Sequence, residues 1–149
     1  MCIFFCTLII GGVFFGDYKL KKYAEENLEQ PRPALGGRIL LRRYHNRGAM
    51  LNLGQRRGKV VTVVSLFLCL LLTVVFLLSL GQKGNNLLRV GLSFLLGGAF
   101  SNTYDRLKRK YVVDYFSFQV KWKPLGRIVY NLSDFCIITG ALLSVLGSP

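Results

Sequence analysis

The chain has 149 residues, 52% of them hydrophobic, with 20 Lys+Arg against 7 Asp+Glu and a formal net charge of +13. That length fits one domain, and the apolar share is too high for an ordinary soluble domain of this size. The four cysteines (Cys2, Cys6, Cys69, Cys136) lie in apolar segments without a Cys-x-x-Cys spacing, and His45 has no companion at metal-ligand spacing. A zinc site is therefore not expected, and the cysteines read as small packing residues.

In chain order, Cys2 to Gly16 is an uncharged run of 15 residues that predicts a first membrane span over 2–16. A cleaved signal peptide is the other reading, but there is no basic n-region and no Ala-x-Ala-like site before Asp17. A long polar loop follows to Lys59. Its opening, Asp17 to Leu28, can continue the first helix for a turn or two, until Gln30-Pro-Arg-Pro-Ala-Leu-Gly-Gly37 breaks it. Arg38 to His45 is β-prone and predicts a short strand or hairpin outside the bilayer.

Val60 to Leu80 has 21 uncharged residues, enough to cross a bilayer core as a helix. A third span over 87–103 carries Gly97-Gly98-Ala99, small residues that let helices approach closely. Asn102, Asp105 and Arg106 follow at i, i+3 and i+4, on one helical face. Beyond Lys108-Arg-Lys110, the aromatics and valines of Tyr111 to Trp122 suit the headgroup interface. The last span covers 131–147, with Asn131 and Asp134 on one face. The expected architecture is an all-α integral membrane protein: one domain over 1–149, four spans, and both termini on one side.

Asp114 and Asp134 each sit at the edge of an apolar segment in a chain poor in acids. A carboxylate beside lipid is unfavourable, so such a residue is a functional-site candidate. Two that meet suggest a pair sharing one proton. The plain alternative is a pair of structural interface acids. Asn102 and Asn131 either orient the aspartates or satisfy polar groups between helices. Asp105 and Arg106 read either as a third charge pair of the site or, the favoured reading, as a structural bridge at a helix end, with Arg106 able to reach a headgroup phosphate. Asp17 and Lys21 read as a solvated i, i+4 pair, and His45 as a loop residue without chemistry. A metal held by the two aspartates lacks a further acid at ligand spacing.

The block Gly97-Gly-Ala-Phe-Ser-Asn102-Thr-Tyr-Asp105-Arg106, its continuation Tyr111-Val-Val-Asp114-Tyr-Phe, and the later Tyr130-Asn131-Leu-Ser-Asp134-Phe closely resemble the signal peptidase II (lipoprotein signal peptidase) family. Asp17-Tyr-Lys-Leu-Lys21 and Tyr44-His-Asn46-Arg-Gly-Ala49 match two weaker upstream motifs. Ser101 stands where a Gly usually precedes the Asn, and Tyr130 and Ser133 replace a usual Phe and Ala. The resemblance implies a four-helix membrane aspartyl endopeptidase with a small extramembrane β-cradle. It would cleave prolipoproteins before the diacylglyceryl-modified cysteine. It implies Asp114 and Asp134 as the catalytic pair, with Asp17, Lys21, Asn46, Asn102, Asp105, Arg106 and Asn131 in support. No cofactor is implied.

A catalytically silent relative that binds lipidated partners, and a small proton-coupled transporter or channel subunit, are the competing readings. Intact aspartates in both motifs argue against the first. The absence of polar side chains suited to a path through Val60–Leu80 argues against the second. The basic loops fit anionic headgroups better than nucleic acid, since no nucleic-acid motif accompanies them. A monomer in the cell membrane is expected. The loops 17–59 and 104–129 hold nearly all the Lys and Arg, which the positive-inside rule would place in the cytoplasm. The resemblance instead implies an active site at the outer face.

Overall fold

The computed structural model describes residues 2–48, 57–81, 84–120 and 122–148. Four long helices and a three-stranded sheet organise the chain: α1 (Cys2–Asn27), β1 (Arg32–Ala34), β2 (Ile39–Asn46), α2 (Gly58–Leu80), α3 (Asn86–Lys108), β3 (Val112–Phe118) and α5 (Leu132–Leu146), with a one-turn α4 (Lys123–Gly126) before the last helix.

α1 runs well past the expected span, because nothing between Cys2 and Asn27 interrupts it. Its last turn closes with Leu28 N–H on the Ala24 carbonyl, 3.1 Å away, and Pro31 and Pro33 then forbid continuation. α1 (from Ile3) and α2 are long and apolar enough to cross a membrane, and α5 is a shorter apolar helix. Of the 23 residues of α2 only Cys69, Phe76 and Ser79 are buried, and Phe67, Leu70, Leu77 and Leu78 face outward. Such a continuous apolar exterior has no place in water. This is a membrane protein.

α3 is the opposite of α2: it is the central helix, packed against α1, α2 and α5. Cys6 of α1, Phe76 of α2, and Leu92 and Leu96 of α3 form one apolar cluster. The α3–α5 contact depends on bare backbone. A Cβ on Gly140 would lie 2.6 Å from the Gly91 carbonyl oxygen, and one on Gly98 would lie 2.7 Å from the Ser133 carbonyl oxygen. Small residues at such crossings let polar side chains on the two helices meet.

The sheet is antiparallel in the order β1-β2-β3. The β-prone stretch Arg38 to His45 forms one strand, β2, and its hairpin partner β1 comes from the preceding Pro-rich segment, with the turn through Gly36 and Gly37, both in the left-handed region that Gly tolerates. The cradle is not confined to the first loop, however. The stretch read as interfacial aromatics supplies β3, because Val112, Val113, Tyr115, Phe116 and Phe118 are strong strand formers and β2 offers them a free edge. Tyr44 pairs with Asp114 and Asn46 with Val112. Ala24 and Leu28 of α1 pack beneath the sheet on Val113 and Tyr115.

Candidate active site

One backbone contact brings the two aspartates together. Tyr130 bridges to Phe116: its N–H donates to the Phe116 carbonyl at 2.7 Å, and its own carbonyl accepts from Tyr115 N–H at 2.9 Å. β3 is thereby fixed to the residue that precedes Asn131, at the start of α5. Asn131 is the N-cap of α5, and its side chain accepts from Asp134 N–H at 3.0 Å. Asp134 at the third helical position returns the bond, its Oδ2 accepting from Asn131 N–H at 3.1 Å. This reciprocal capping box satisfies two helix-end donors and fixes the Asp134 rotamer.

The same Asn131 reaches across to β3, where its Nδ2 donates to Asp114 Oδ1 at 2.7 Å. Asn46 Nδ2, on the neighbouring strand, donates to Asp114 Oδ2 at 3.0 Å. Asn102 Nδ2, on α3, donates to Asp134 Oδ1 at 3.2 Å. Asn102 and Asn131 thus contact the carboxylates directly, which favours the orienting role over simple satisfaction of interhelical polar groups. Both carboxylates, Asn46, Asn102 and Arg106 line one cavity of about 30 Å³, roofed by Val129 and Tyr130. That is room enough for a water molecule.

Arg106 closes the cavity from α3. Its guanidinium donates to the Asn102 carbonyl at 3.3 Å and the Gly48 carbonyl at 3.1 Å, and its Nε is buried with no partner among the described residues. Gly48 N–H in turn donates to Asn46 Oδ1 at 2.9 Å. Ala49, the end of that motif, lies outside the described residues. Burial pushes the Asp114 carboxyl up to about 7, and the nearby charge of Asp134 adds to the effect. The donors Asn46 and Asn131, and the positive charge of Lys21, act in the opposite sense without cancelling it.

A second polar cluster lies directly behind this one. Asp17 and Lys21 are not solvated: their exposures are 0% and 1%. The continuation of α1 carries them under the sheet and against α3, so the i, i+4 pair is a buried ion pair with Nζ 2.8 Å from Asp17 Oδ2. Lys21 Nζ also lies 3.1 Å from Asp105 Oδ2. The expected Asp105–Arg106 bridge does not form. Asp105 turns inward to Lys21 and lies 3.5 Å from Arg109 Nε, one helical turn on, and its Oδ2 accepts from Val113 N–H at 3.2 Å. Adjacent residues on a helix point about 100° apart, so neighbours in sequence seldom pair.

Three residues of this cluster had no assigned role in the sequence. Ser101 and Ser133 stood out only as departures from a motif, and Tyr115 only as one aromatic among several. Both serines and Tyr115 donate to Asp17. Burial, and then the charge of Asp17, push the Tyr115 hydroxyl up, so it remains a donor. His45 lies on β2 rather than in a loop, stacked on Tyr111 with ring centroids 4.1 Å apart and Nε2 3.0 Å from Glu25. Cys6, Cys69 and Cys136 are buried, as their apolar settings suggested; the Cys2 side chain lies outside the described residues.

An apolar groove of about 410 Å³ opens beside the cavity, between α2, α3 and α5. It runs along Leu68, Leu72, Leu95 and Ile138 and ends at Asn102, Arg106 and Asp134. A helical membrane protein with buried acids at the head of an apolar groove is the class this geometry defines. Residues 9–148 match the family described as signal peptidase (SPase) II, and the chain belongs to it. It is 32% identical over 137 residues to the lipoprotein signal peptidase of Caldicellulosiruptor bescii, covering 91% of this chain and 85% of that one. It is 33% identical over 141 residues to the lipoprotein signal peptidase of Clostridium acetobutylicum, covering 91% and 88%. Its fold is similar to that of a bacterial membrane enzyme solved by the in meso method at 2.3 Å resolution, with a TM-score of 0.82 at 17% identity over 97% of this chain and 87% of that one.

Proposed function

We propose that this chain is an aspartyl endopeptidase that removes signal peptides from prolipoproteins, cutting before the diacylglyceryl-modified cysteine. The observation that carries the reading is the single asparagine, Asn131, that holds both carboxylates at the wall of a small cavity with room for a water. Like charges at such range do not both ionise, so the pair keeps one proton near neutral pH. Burial and the neighbouring carboxylate's charge favour the proton on Asp114. Asp134 then takes a proton from the water as that water attacks the scissile carbonyl. Protonated Asp114 donates a hydrogen bond to the carbonyl oxygen, where negative charge develops. The apolar groove ending at Asp134 suits the hydrophobic part of a signal peptide or the acyl chains beside the cysteine.

α1, α2, α3 and α5 are the four spans of one peptidase domain over 1–149, and the sheet rests at the outer membrane face over the aspartates. Among the described residues, Asn46, Asn102 and Asn131 hold the pair, and the working unit is a monomer. The deciding experiment is cleavage of a purified diacylglyceryl prolipoprotein by the wild type and by Asp114→Asn and Asp134→Asn. Asn keeps the shape but neither shares the proton nor acts as base, so each variant is expected to lose turnover while inserting normally. Turnover by either within about tenfold of wild type, about 1.4 kcal/mol of barrier, removes the pair from the chemistry. The face is tested by cysteines introduced at the exposed Gln30 and Gln119. Both should react with an impermeant reagent in intact cells; protection of both places the sheet in the cytoplasm, as the charge rule demands.

A further inference from the structure

We propose that Ser101 and Ser133 are positioning residues for the aspartate pair, acting through Asp17, Lys21 and Asn102; this deepens the peptidase reading and rests on it. Each serine immediately precedes a residue of the site, Ser101 before Asn102 on α3 and Ser133 before Asp134 on α5. Their hydroxyls converge on one atom, Asp17 Oδ2, with Ser101 Oγ at 2.7 Å and Ser133 Oγ also donating to it. Lys21 Nζ lies on the same oxygen at 2.8 Å, and Tyr115 donates to the other, Oδ1, at 3.0 Å. Asp17, Ser101 and Ser133 are all at most 2% exposed, so this carboxylate is solvated by protein donors alone. A buried charge is tolerable only with such a full set.

The link to the chemistry runs through Lys21. An ammonium has three hydrogens and no acceptor. Four acceptors surround Nζ, so one hydrogen is shared: Asp17 Oδ2, Asp105 Oδ2, Ser101 Oγ at 3.0 Å and Asn102 Oδ1 at 2.9 Å. Ser101 accepts from Lys21 and donates to Asp17, which fixes the direction of its hydroxyl. Asn102 Oδ1 also accepts from Asn131 Nδ2 at 3.3 Å. With two donors on its oxygen, the Asn102 amide has one permitted orientation, and that orientation aims Nδ2 at Asp134. The flipped amide would set an NH₂ group against an ammonium.

The Gly and Ala that usually occupy these two positions in the motifs donate nothing. Here both positions carry hydroxyls, and their hydrogen bonds stabilise the Asp17 carboxylate. Without them Lys21 serves Asp17 more fully and Asn102 less, and more uncompensated negative charge faces the pair. The charged and titratable groups around Asp17 are Lys21 on α1, Asp105 on α3 at the other side of Lys21, Tyr115 on β3, and Asp134 and Cys136 on α5; Arg106 and Asp114 belong to the aspartate site itself. A weaker positive field at Asp114 favours its protonated form, so losing the serines moves ionisation of the pair to higher pH.

The test uses Ser101→Ala, Ser133→Ala and the double variant in detergent, with kcat and KM for a diacylglyceryl prolipoprotein measured against pH. The acid limb of the kcat profile is expected to move up by about half a pH unit in the double variant, and about half as far in each single. KM should stay within about twofold, since neither serine lines the cavity. Titration of the Asp114 carboxyl by ¹³C NMR, in protein labelled at aspartate and assigned with Asp114→Asn, reads the upper ionisation of the pair, which should move in the same direction, without turnover. Profiles and titrations that superimpose on wild type, with only a lower melting temperature, overturn the inference and leave the serines a packing role. A shifted titration in a protein that cleaves no prolipoprotein upholds the positioning and overturns the peptidase reading instead. Each single variant removes one hydroxyl and leaves the other, so either one that folds suffices.

Discussion

Asn131 and Asp114 are joined by a 2.7 Å hydrogen bond that crosses from the cap of α5 to the third strand. One residue therefore starts a helix and sets the spacing of the acids. The two tasks separate chemically. Serine is a good N-cap, so Asn131→Ser retains the helix start but has no arm to reach Asp114. Cleavage is expected to fall about 10- to 100-fold, the scale of one lost hydrogen bond to a charged or polarised group. The melting temperature should change by only a few degrees. Full activity in Asn131→Ser would mean that the bridge to Asp114 is incidental.

Stability should carry the mark of the buried Asp114. Its folded-state ionisation, near pH 7, lies above the ordinary carboxylate value of 3.8. The native protein therefore binds more protons than the unfolded chain between those values, and stability falls as pH rises through that window. The stabilisation is fully present below about pH 4 and is lost as pH passes about 7. Its upper bound is about 4 kcal/mol, from about 1.4 kcal/mol per pH unit. Melting curves of wild type in detergent from pH 4 to 8 should slope downward more steeply than those of Asp114→Asn. The comparison is of slopes, because the Asn variant also exchanges an acceptor for a donor beside Asn46 and Asn131. Parallel curves would show that Asp114 ionises normally.

The sequence made much of this legible, for reasons that can be traced. The uncharged run Val60–Leu80 has one solution in a bilayer, and α2 adopts it. Proline and paired glycines at 31–37 announced where α1 stops and the hairpin turns. The pattern around Asn131 and Asp134, spaced i and i+3, showed a shared face, and that face is a capping box. What the sequence concealed was long-range. Nothing local to Tyr111–Trp122 indicates a partner strand some seventy residues earlier, and so β3 was hidden in an aromatic stretch. Spacing alone also cannot show whether Asp17 and Lys21 face water or the inside, since an i, i+4 pair suits both. Ser101 and Ser133 became visible only once three helices had met around Asp17.

The close α3–α5 crossing offers a mutation remote from any titratable atom. A methyl group on Gly98 would press on the Ser133 carbonyl and on the Ile137 side chain, whose Cγ1 would lie 2.8 Å away. The Ser133 carbonyl is backbone and cannot rotate aside, so α5 must shift, and Asp134 is the next residue. Gly98→Ala is expected to destabilise the protein by about 1–3 kcal/mol, as overpacking does. It should also lower cleavage more than the loss of folded protein explains. The measurement is turnover per mole of folded enzyme. An unchanged value would show that α5 yields elsewhere and leaves Asp134 in place.

The basic loops give the last prediction. Not all of their cations are available to a membrane: Arg43 donates to the Glu25 carbonyl at 2.8 Å, and Arg109 lies 3.5 Å from Asp105. Arg38, Lys108 and Lys110 are exposed; Lys110 makes one hydrogen bond, to the Leu107 carbonyl, and an ammonium has two more hydrogens to offer. If these three hold the sheet against anionic headgroups, each contributes about 1 kcal/mol near the surface, falling off within a Debye length. The variant Arg38→Gln/Lys108→Gln/Lys110→Gln should then process prolipoprotein more slowly than wild type in vesicles rich in phosphatidylglycerol. The deficit should shrink with added salt and vanish in neutral detergent, because the aspartate pair and its asparagines are untouched. Equal rates in anionic vesicles would make these cations a solvated surface, and the net charge of +13 would then need another explanation.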